Sequence, residues 1–427
     1  MGAPMGTPML SDQPVRVVIQ QHVDEGAVLA DIREGLVTSP HVDLEHLELF
    51  DERIAAHLDA VAVAGEAGAA MCTAALASPG RGEMFVAVIR AIEDRNTHRL
   101  DKLLALAEAV PDAQAGAAAA LGWASPEALR GLIAGMFRSP STLKRRLAIG
   151  ACASHGLDPG PALTLALQDP DPQLRARALR AAGDCGRLAL RSACIRSLSD
   201  EDADCRSSAC RSAVRLGDRG AALESLRAEV LSPEGPDDAA LGLLLKVLAS
   251  AQAAGILKVL FEEKARIRSV IQGMGVSGDG RFLPWLIGRM ADPRLSRLAG
   301  ESFSMITGLD LAAQDLERQT PGDIEAQPTE SAQDSDVAMD EDDGLPWPDP
   351  EKVQAWWSAN MERFQPGVRY FLGAPPAREH CLRVLKDGYQ RQRMAAAEYL
   401  CLSQPGTVLF NCEAPAWRQQ RWLAQMH

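Results

Sequence analysis

The stretch Asp169–Gly186, DPDPQLRARALRAAGDCG, decides how the rest of the chain is read. Asp171 is suited to cap a helix, because its carboxylate can accept from the exposed backbone N–H groups of a first turn. Pro172 then falls at the first helical position, where its missing N–H costs nothing. Leu174, Ala178, Ala181 and Ala182 recur at the spacing of a single helix face. Alanines on that face let a neighbouring helix come close, and Gly183 and Gly186 supply a stop. The segment reads as one short amphipathic helix with its own start and end.

Similar bricks stand on either side. Placing LKRRLAIGAC on LRARALRAAG sets Leu143 on Leu174, and placing CRSSACRSAV there sets Cys205 on Leu174 and Arg206 on Arg175, an offset of 31 residues each time. DPRLSRLAGESFSMITG sets Asp292 on Asp171 and Pro293 on Pro172 at an offset of 121, close to four periods. The copies between are degenerate but keep a helical pattern. A helical period near 31 marks stacked helix pairs. Ser39-Pro40, Ser125-Pro126, Ser139-Pro140, Ser232-Pro233 and Asp349-Pro350 repeat the start signal. Arg175 is expected to lock neighbouring units by pairing with acidic residues in adjacent turns, and Arg206 holds the same repeat position.

Composition agrees. The apolar fraction is 47% but aromatics are only 4%, so the core material is mostly Ala and Leu, the best helix formers. The net charge of −13 is local: thirteen acidic residues and only Arg318 as a base lie between Asp310 and Pro350. The remainder is close to neutral, which gives no basic footprint for nucleic acid. Nine scattered cysteines form no Cys-x-x-Cys and lie near no histidine pair at zinc spacing, so buried thiols in a cytoplasmic protein are expected. The first residues carry no basic stretch followed by an apolar run, and no apolar run reaches membrane-spanning length.

These signals divide the chain into a disordered N-terminus (1–14), an N-terminal helical region (15–110), HEAT-like repeats (111–311), an acidic disordered linker (312–345) and an aromatic-rich helical module (346–427). The linker is polar and cannot bury enough apolar area to offset its ordering entropy. The last 83 residues hold eleven of the nineteen aromatics. There the sequence predicts a helix opened by Asp349-Pro350 and closed near Pro366-Gly367. The expected fold class is all-α: a solenoid of stacked helix pairs, a helical N-terminal cap and a C-terminal helical module.

Two resemblances follow from these residues. The Asp-Pro-Asp-Pro-x-Leu-Arg-x-x-Ala form resembles the HEAT-like repeat of phycobilin lyases and deoxyhypusine hydroxylase, over the middle of the chain. More broadly, PHVDLEHLELFDERIAAHLDAV, LPWPDPEKVQAWWSANMERFQPGVRYFLG and GYQRQRMAAAEYL resemble a family of proteobacterial HEAT-repeat proteins. Genes of that family often lie beside type VI secretion components. The resemblance implies a cytoplasmic bacterial protein linked to that machinery, and it brings no catalytic residues with it.

Specific chemistry finds little support. None of the eight histidines is followed by Glu, against a di-iron site built from His-Glu pairs. Ten arginines face eight acidic residues between 169 and 220, which points to paired charges rather than a ligand-binding face. GMGVSGDG lacks the following Lys-Ser/Thr of a phosphate loop. No catalytic, cofactor-binding or metal residues are therefore assigned. The C-terminal aromatics read first as core or as a terminal cap of the solenoid. As a second reading, Trp356, Trp357, Phe364, Trp417 and Trp422 are candidates for a protein-binding patch, because tryptophan dominates interface hot spots. Trp356 and Trp357 point about 100° apart on a helix, so one is expected to remain accessible. The expected function is a non-enzymatic scaffold or adaptor for a protein partner, such as a secretion effector or spike component, with no cofactor, nucleic acid or membrane. The alternatives are a bilin-lyase-like enzyme or cofactor binder and an immunity protein.

Overall fold

The computed structural model describes residues 15–232, 237–320 and 342–426. The expected disordered N-terminus (1–14), Pro233 and the central part of the acidic stretch (321–341) lie outside the described residues. The all-α expectation holds. Helices account for the regular structure, and the extended pairings among the described residues are isolated bridges: Asp279 with Arg369, Glu317 with Pro348, and Phe371 with Ala374. No single helix among the described residues is long and apolar enough to cross a membrane.

The chain forms two compact units. The first comprises residues up to Leu36 and from His46 to Ala151. Its central helix, Arg81–Glu93, buries nine of thirteen residues and packs against Arg16–Leu36 and Pro111–Trp123. Such close packing needs bare backbone. A Cβ on Gly82 would lie 2.2 Å from the Ala27 carbonyl oxygen, and one on Gly116 would lie 2.2 Å from that of Arg81. Because Pro111–Trp123 packs on Arg81–Glu93, it belongs to the first compact unit, which ends near 151.

The second unit holds Val37–Glu45 and everything from Cys152. It contains five consecutive helix pairs. A first helix (Pro161–Ala166, Arg191–Arg196, Ala221–Val230, Ser250–Phe261, Leu283–Arg289) precedes a second one (Pro172–Asp184, Ala203–Arg215, Asp238–Val247, Ile267–Ser277, Ser296–Thr307). The second helices stack on one another, Pro172–Asp184 on Ala203–Arg215 and Ile267–Ser277 on Ser296–Thr307. Local chemistry sets each start. Asp171 accepts from the Leu174 N–H at 3.0 Å, and 31 residues on Asp202 accepts from the Cys205 N–H at 2.9 Å. One turn earlier, Asp169 accepts from the Asp171 N–H at 3.1 Å and Asp200 from the Asp202 N–H at 3.0 Å.

The same marks correct two alignments. In the preceding unit the cap is Ser141, which accepts from the Lys144 N–H at 3.3 Å, and Ser139 accepts from the Ser141 N–H at 3.2 Å. This register puts Arg145 on Arg175, an offset of 30 instead of 31, because cap geometry and not apolar similarity sets where the helix begins. In the later copy Asp292 accepts from the Arg294 N–H at 3.0 Å, making a turn. The helix starts only at Ser296, after an uncapped Leu295, so Asp292 and Pro293 do not occupy the cap and first position.

The stops are regular too. Gly156, Gly186, Gly217, Gly278 and Gly308 all have φ between 62° and 93°, a region in which a side chain would be strained. Where the series calls for a glycine near 248, Leu248 stands in extended conformation. Gly183 has a different role from the stop read in the sequence. It is buried inside the helix, and a Cβ there would lie 2.9 Å from Ser212 Cα. Its missing side chain lets the next helix approach.

Candidate protein-interaction groove

Arginines lace the repeats together. Arg175 spans two units, donating from Nε and Nη2 to both Asp200 oxygens at 3.1 and 2.8 Å. Its Nη1 reaches the Asp169 and Pro170 carbonyls, both at 3.0 Å. This fork against a carboxylate is the geometry only arginine offers. Arg206 makes the equivalent bonds to the Asp200 and Glu201 carbonyls, both at 2.8 Å. One period beyond Asp200 stands Leu231, so the carboxylate half of the pair ends there.

The aromatic-rich segment is not held apart from the repeats. It runs along the C-terminal ends of the second helices within the same unit. The Asn411 amide donates to the Ser154 carbonyl at 3.1 Å, and the Leu409 N–H to the Asp184 carbonyl at 2.8 Å. The Tyr370 N–H donates to the Gly278 carbonyl and the Leu372 N–H to the Met305 carbonyl, each at 2.8 Å. Where Leu248 replaces a stop glycine, Arg369 supplies the cap. Its guanidinium donates to the carbonyls of Leu245 at 2.6 Å, Leu248 at 2.7 Å and Lys246, and its Nε to Ser277 at 3.2 Å.

Helix Gln390–Ser403 completes the docking. Its Glu398 is largely buried and meets Lys246 at 2.7 Å and Arg215 at 3.1 Å. Burial alone would raise this carboxyl, but the two cations outweigh it and hold the pKa at about 2. The helix start is pinned by the 37–45 loop: the Gln390 N–H donates to the Val42 carbonyl at 2.7 Å and its side-chain amide to Val37 at 3.0 Å. Behind it Phe371, Cys381, Leu385, Ala396, Leu400 and Cys412 form a core onto which Met305 of the repeats packs.

These positions sort the aromatic candidates. Trp357 and Phe364 are buried, at 9% and 5% exposure, so as folded they are core and not contact residues. Phe364 lies 5.8 Å from Trp357 and 5.1 Å from Tyr370, ring centre to ring centre. Trp356 is half-buried and sits edge-on to Phe303 of the last repeat at 5.8 Å. Trp417 and Trp422 are half-buried on the final helix, Ala416–Leu423, with Trp422 edge-on to Phe410 at 5.6 Å. That Trp356 and Trp357 differ in burial is readable from helical spacing; that Trp356 closes on Phe303 and Trp357 on Phe364 is not.

Between the second helices and Gln390–Ser403 a groove of about 630 Å³ remains. Charged side chains (Arg177, Arg180, Asp184, Arg215) and apolar ones (Val276, Met394, Leu409, Phe410) share its walls. Sequence reasoning missed it, because Glu398 and Arg215 are 183 residues apart and neither carries a motif. A larger cavity of about 770 Å³ lies beside Asp310, His380 and Tyr389. Its polar groups bond one another: the Tyr389 hydroxyl donates to Asp310 at 3.1 Å, and Arg391 to Glu301 at 2.8 Å.

The cysteines are held as thiols. All nine cysteines are free, and eight are buried. Burial pushes the thiols of Cys205, Cys210 and Cys412 up to about 12, far from the thiolate a nucleophile needs. Among the described residues no group of three His, Cys, Asp or Glu side chains is placed to hold a metal ion.

Comparison with known proteins locates the repeats. No curated protein and no solved structure matches the chain. Residues 160–245 match the family model of HEAT repeats. That segment covers the first three helix pairs of the second unit, and two further pairs continue it to Thr307, making an α-solenoid.

Proposed function

We propose that this chain is a non-enzymatic protein-binding scaffold. The observation that carries the reading is the run of HEAT repeats at 160–245, an architecture commonly used to hold other proteins. A groove with both charged and apolar walls fits that use better than it fits catalysis, which needs converging reactive groups. In its finer form the reading is an adaptor in the bacterial cytoplasm that engages a type VI secretion effector or spike component. That form rests on the resemblance of the terminal segments to a family with such gene neighbours.

The test is co-expression of the tagged full chain with the products of adjacent genes, followed by size-exclusion chromatography. A neighbour's product that co-elutes in fixed stoichiometry supports the adaptor. A chain that binds none of them and turns over a small substrate overturns it. Visible-range absorbance with transfer of a bilin would replace it with the lyase reading. Protection of cells from a co-expressed toxin would replace it with an immunity role.

A further inference from the structure

One end of the groove carries positive charge that the fold does not consume. Arg177 faces Asp184 at 3.6 Å, while Arg215 faces Asp184 at 3.5 Å and Glu398 at 3.1 Å. Arg180 lies on the same helix, one turn from Asp184, and is solvent-exposed. It forms no hydrogen bond or ion pair through its side chain with any described residue. Burial of its stem against the groove, then the like charges of Arg177, Arg211 and Arg215, push its pKa down, and Asp184 only partly offsets them. Across the whole lining the cations are balanced by Asp184, Asp238, Glu301, Glu398 and Glu413, but around Arg180 three arginines act against the one carboxylate of Asp184, so the excess is local to this end.

A guanidinium crowded by its own kind gains most from an added carboxylate, which relieves repulsion and can accept a forked pair of hydrogen bonds. The adjoining walls are apolar: Val276, Leu409, Phe410 and Met394, the last 37% exposed. A bare inorganic anion would use the arginines and leave those walls wet. A peptide with an acidic side chain beside an apolar one uses both. Methionine suits such a wall because its flexible thioether adapts to varied shapes.

We propose that the groove between the second helices and Gln390–Ser403 binds an acidic peptide segment, its carboxylate on Arg180 and a neighbouring apolar side chain on Met394 and Phe410. This deepens the scaffold reading and rests on it. The test is fluorescence anisotropy of a labelled hexapeptide of alternating Glu and Leu against the full chain. Saturable binding is expected, weakened at least about tenfold by Arg180→Glu, only partly by Arg180→Lys, and absent for a Lys/Leu hexapeptide. Arg180→Glu should melt with the unaltered protein, since Arg180 has no partner to lose; Arg180→Gln gives the same readout if it does not fold. Equal affinity of Arg180→Glu overturns the proposal. So does complete displacement of the peptide by millimolar inorganic phosphate, which would mark a small-anion site. Co-elution of a partner that survives Arg180→Glu leaves the scaffold standing and removes this groove as its site.

Discussion

The repeats from 169 to 217 and those from 238 to 308 solve the same problem differently. In the first group the chain closes its own units: Asp171 and Asp202 cap, Gly186 and Gly217 stop, and Arg175 clamps Asp200. In the second, side-chain caps weaken. Ile267–Ser277 and Ser296–Thr307 begin without one, and Leu248 takes a glycine's place. At the Leu248 end the C-terminal segment supplies what is missing, with Arg369 on three carbonyls, and the backbone of Tyr370 and Leu372 bonds carbonyls at the next two helix ends. A repeat can lose its stop glycine when another part of the chain satisfies the carbonyls of that helix end.

That contrast can be broken most sharply at Glu398. Glu398→Ala leaves Lys246 without its anion and Arg215 with Asp184 alone, and is expected to cost about 3 kcal/mol or more of stability in urea unfolding. The docked helix should become a site of limited proteolysis before the repeats do. Next comes Arg369→Ala, which strands several carbonyls and should cost about 2–3 kcal/mol. Hydrogen exchange should then speed up at Asp238–Val247 and stay unchanged at Pro172–Asp184. Arg175→Ala should cost about 2 kcal/mol and show the reverse pattern.

Acid probes the same docking without mutation. The Glu398 carboxyl is depressed from 4.5 to about 2, so its contribution is complete above pH 4.5 and is lost as pH falls toward 2. Glu398→Gln should remove that part of the acid transition. The smallest effect is expected from replacing 321–341 with a Gly/Ser segment of equal length. That stretch is acidic and without aromatics, and a change under about 0.5 kcal/mol is expected in the melting curve.

Legibility followed the distance over which each decision is made. The helix at 172–184 could be read because Asp171, Pro172 and Leu174 act within one turn. Asp292-Pro293 carries the same letters, yet its helix starts at Ser296, because the capped N–H groups are chosen by where the helix docks. The offset of 31 misplaced Leu143 by one residue, since apolar periodicity tolerates a shift that cap geometry does not. Trp356 and Trp357 could be separated by helical angle, but their joining of Phe303 and Phe364 depends on the fold.

By itself, then, the sequence determined the fold class, the helix pairs of the regular repeats and their internal clamps. These are near-neighbour choices, set by capping groups, glycines and an apolar stripe within one period. Only the tertiary structure decided that the C-terminal segment lies along the helix ends, and that Arg180 is left facing a groove. Those contacts join residues far apart in the chain, such as Arg369 with Leu245 across 124 positions and Asn411 with Ser154 across 257. No local pattern encodes them, because each partner is an ordinary arginine, glutamate or carbonyl until the chain brings them together.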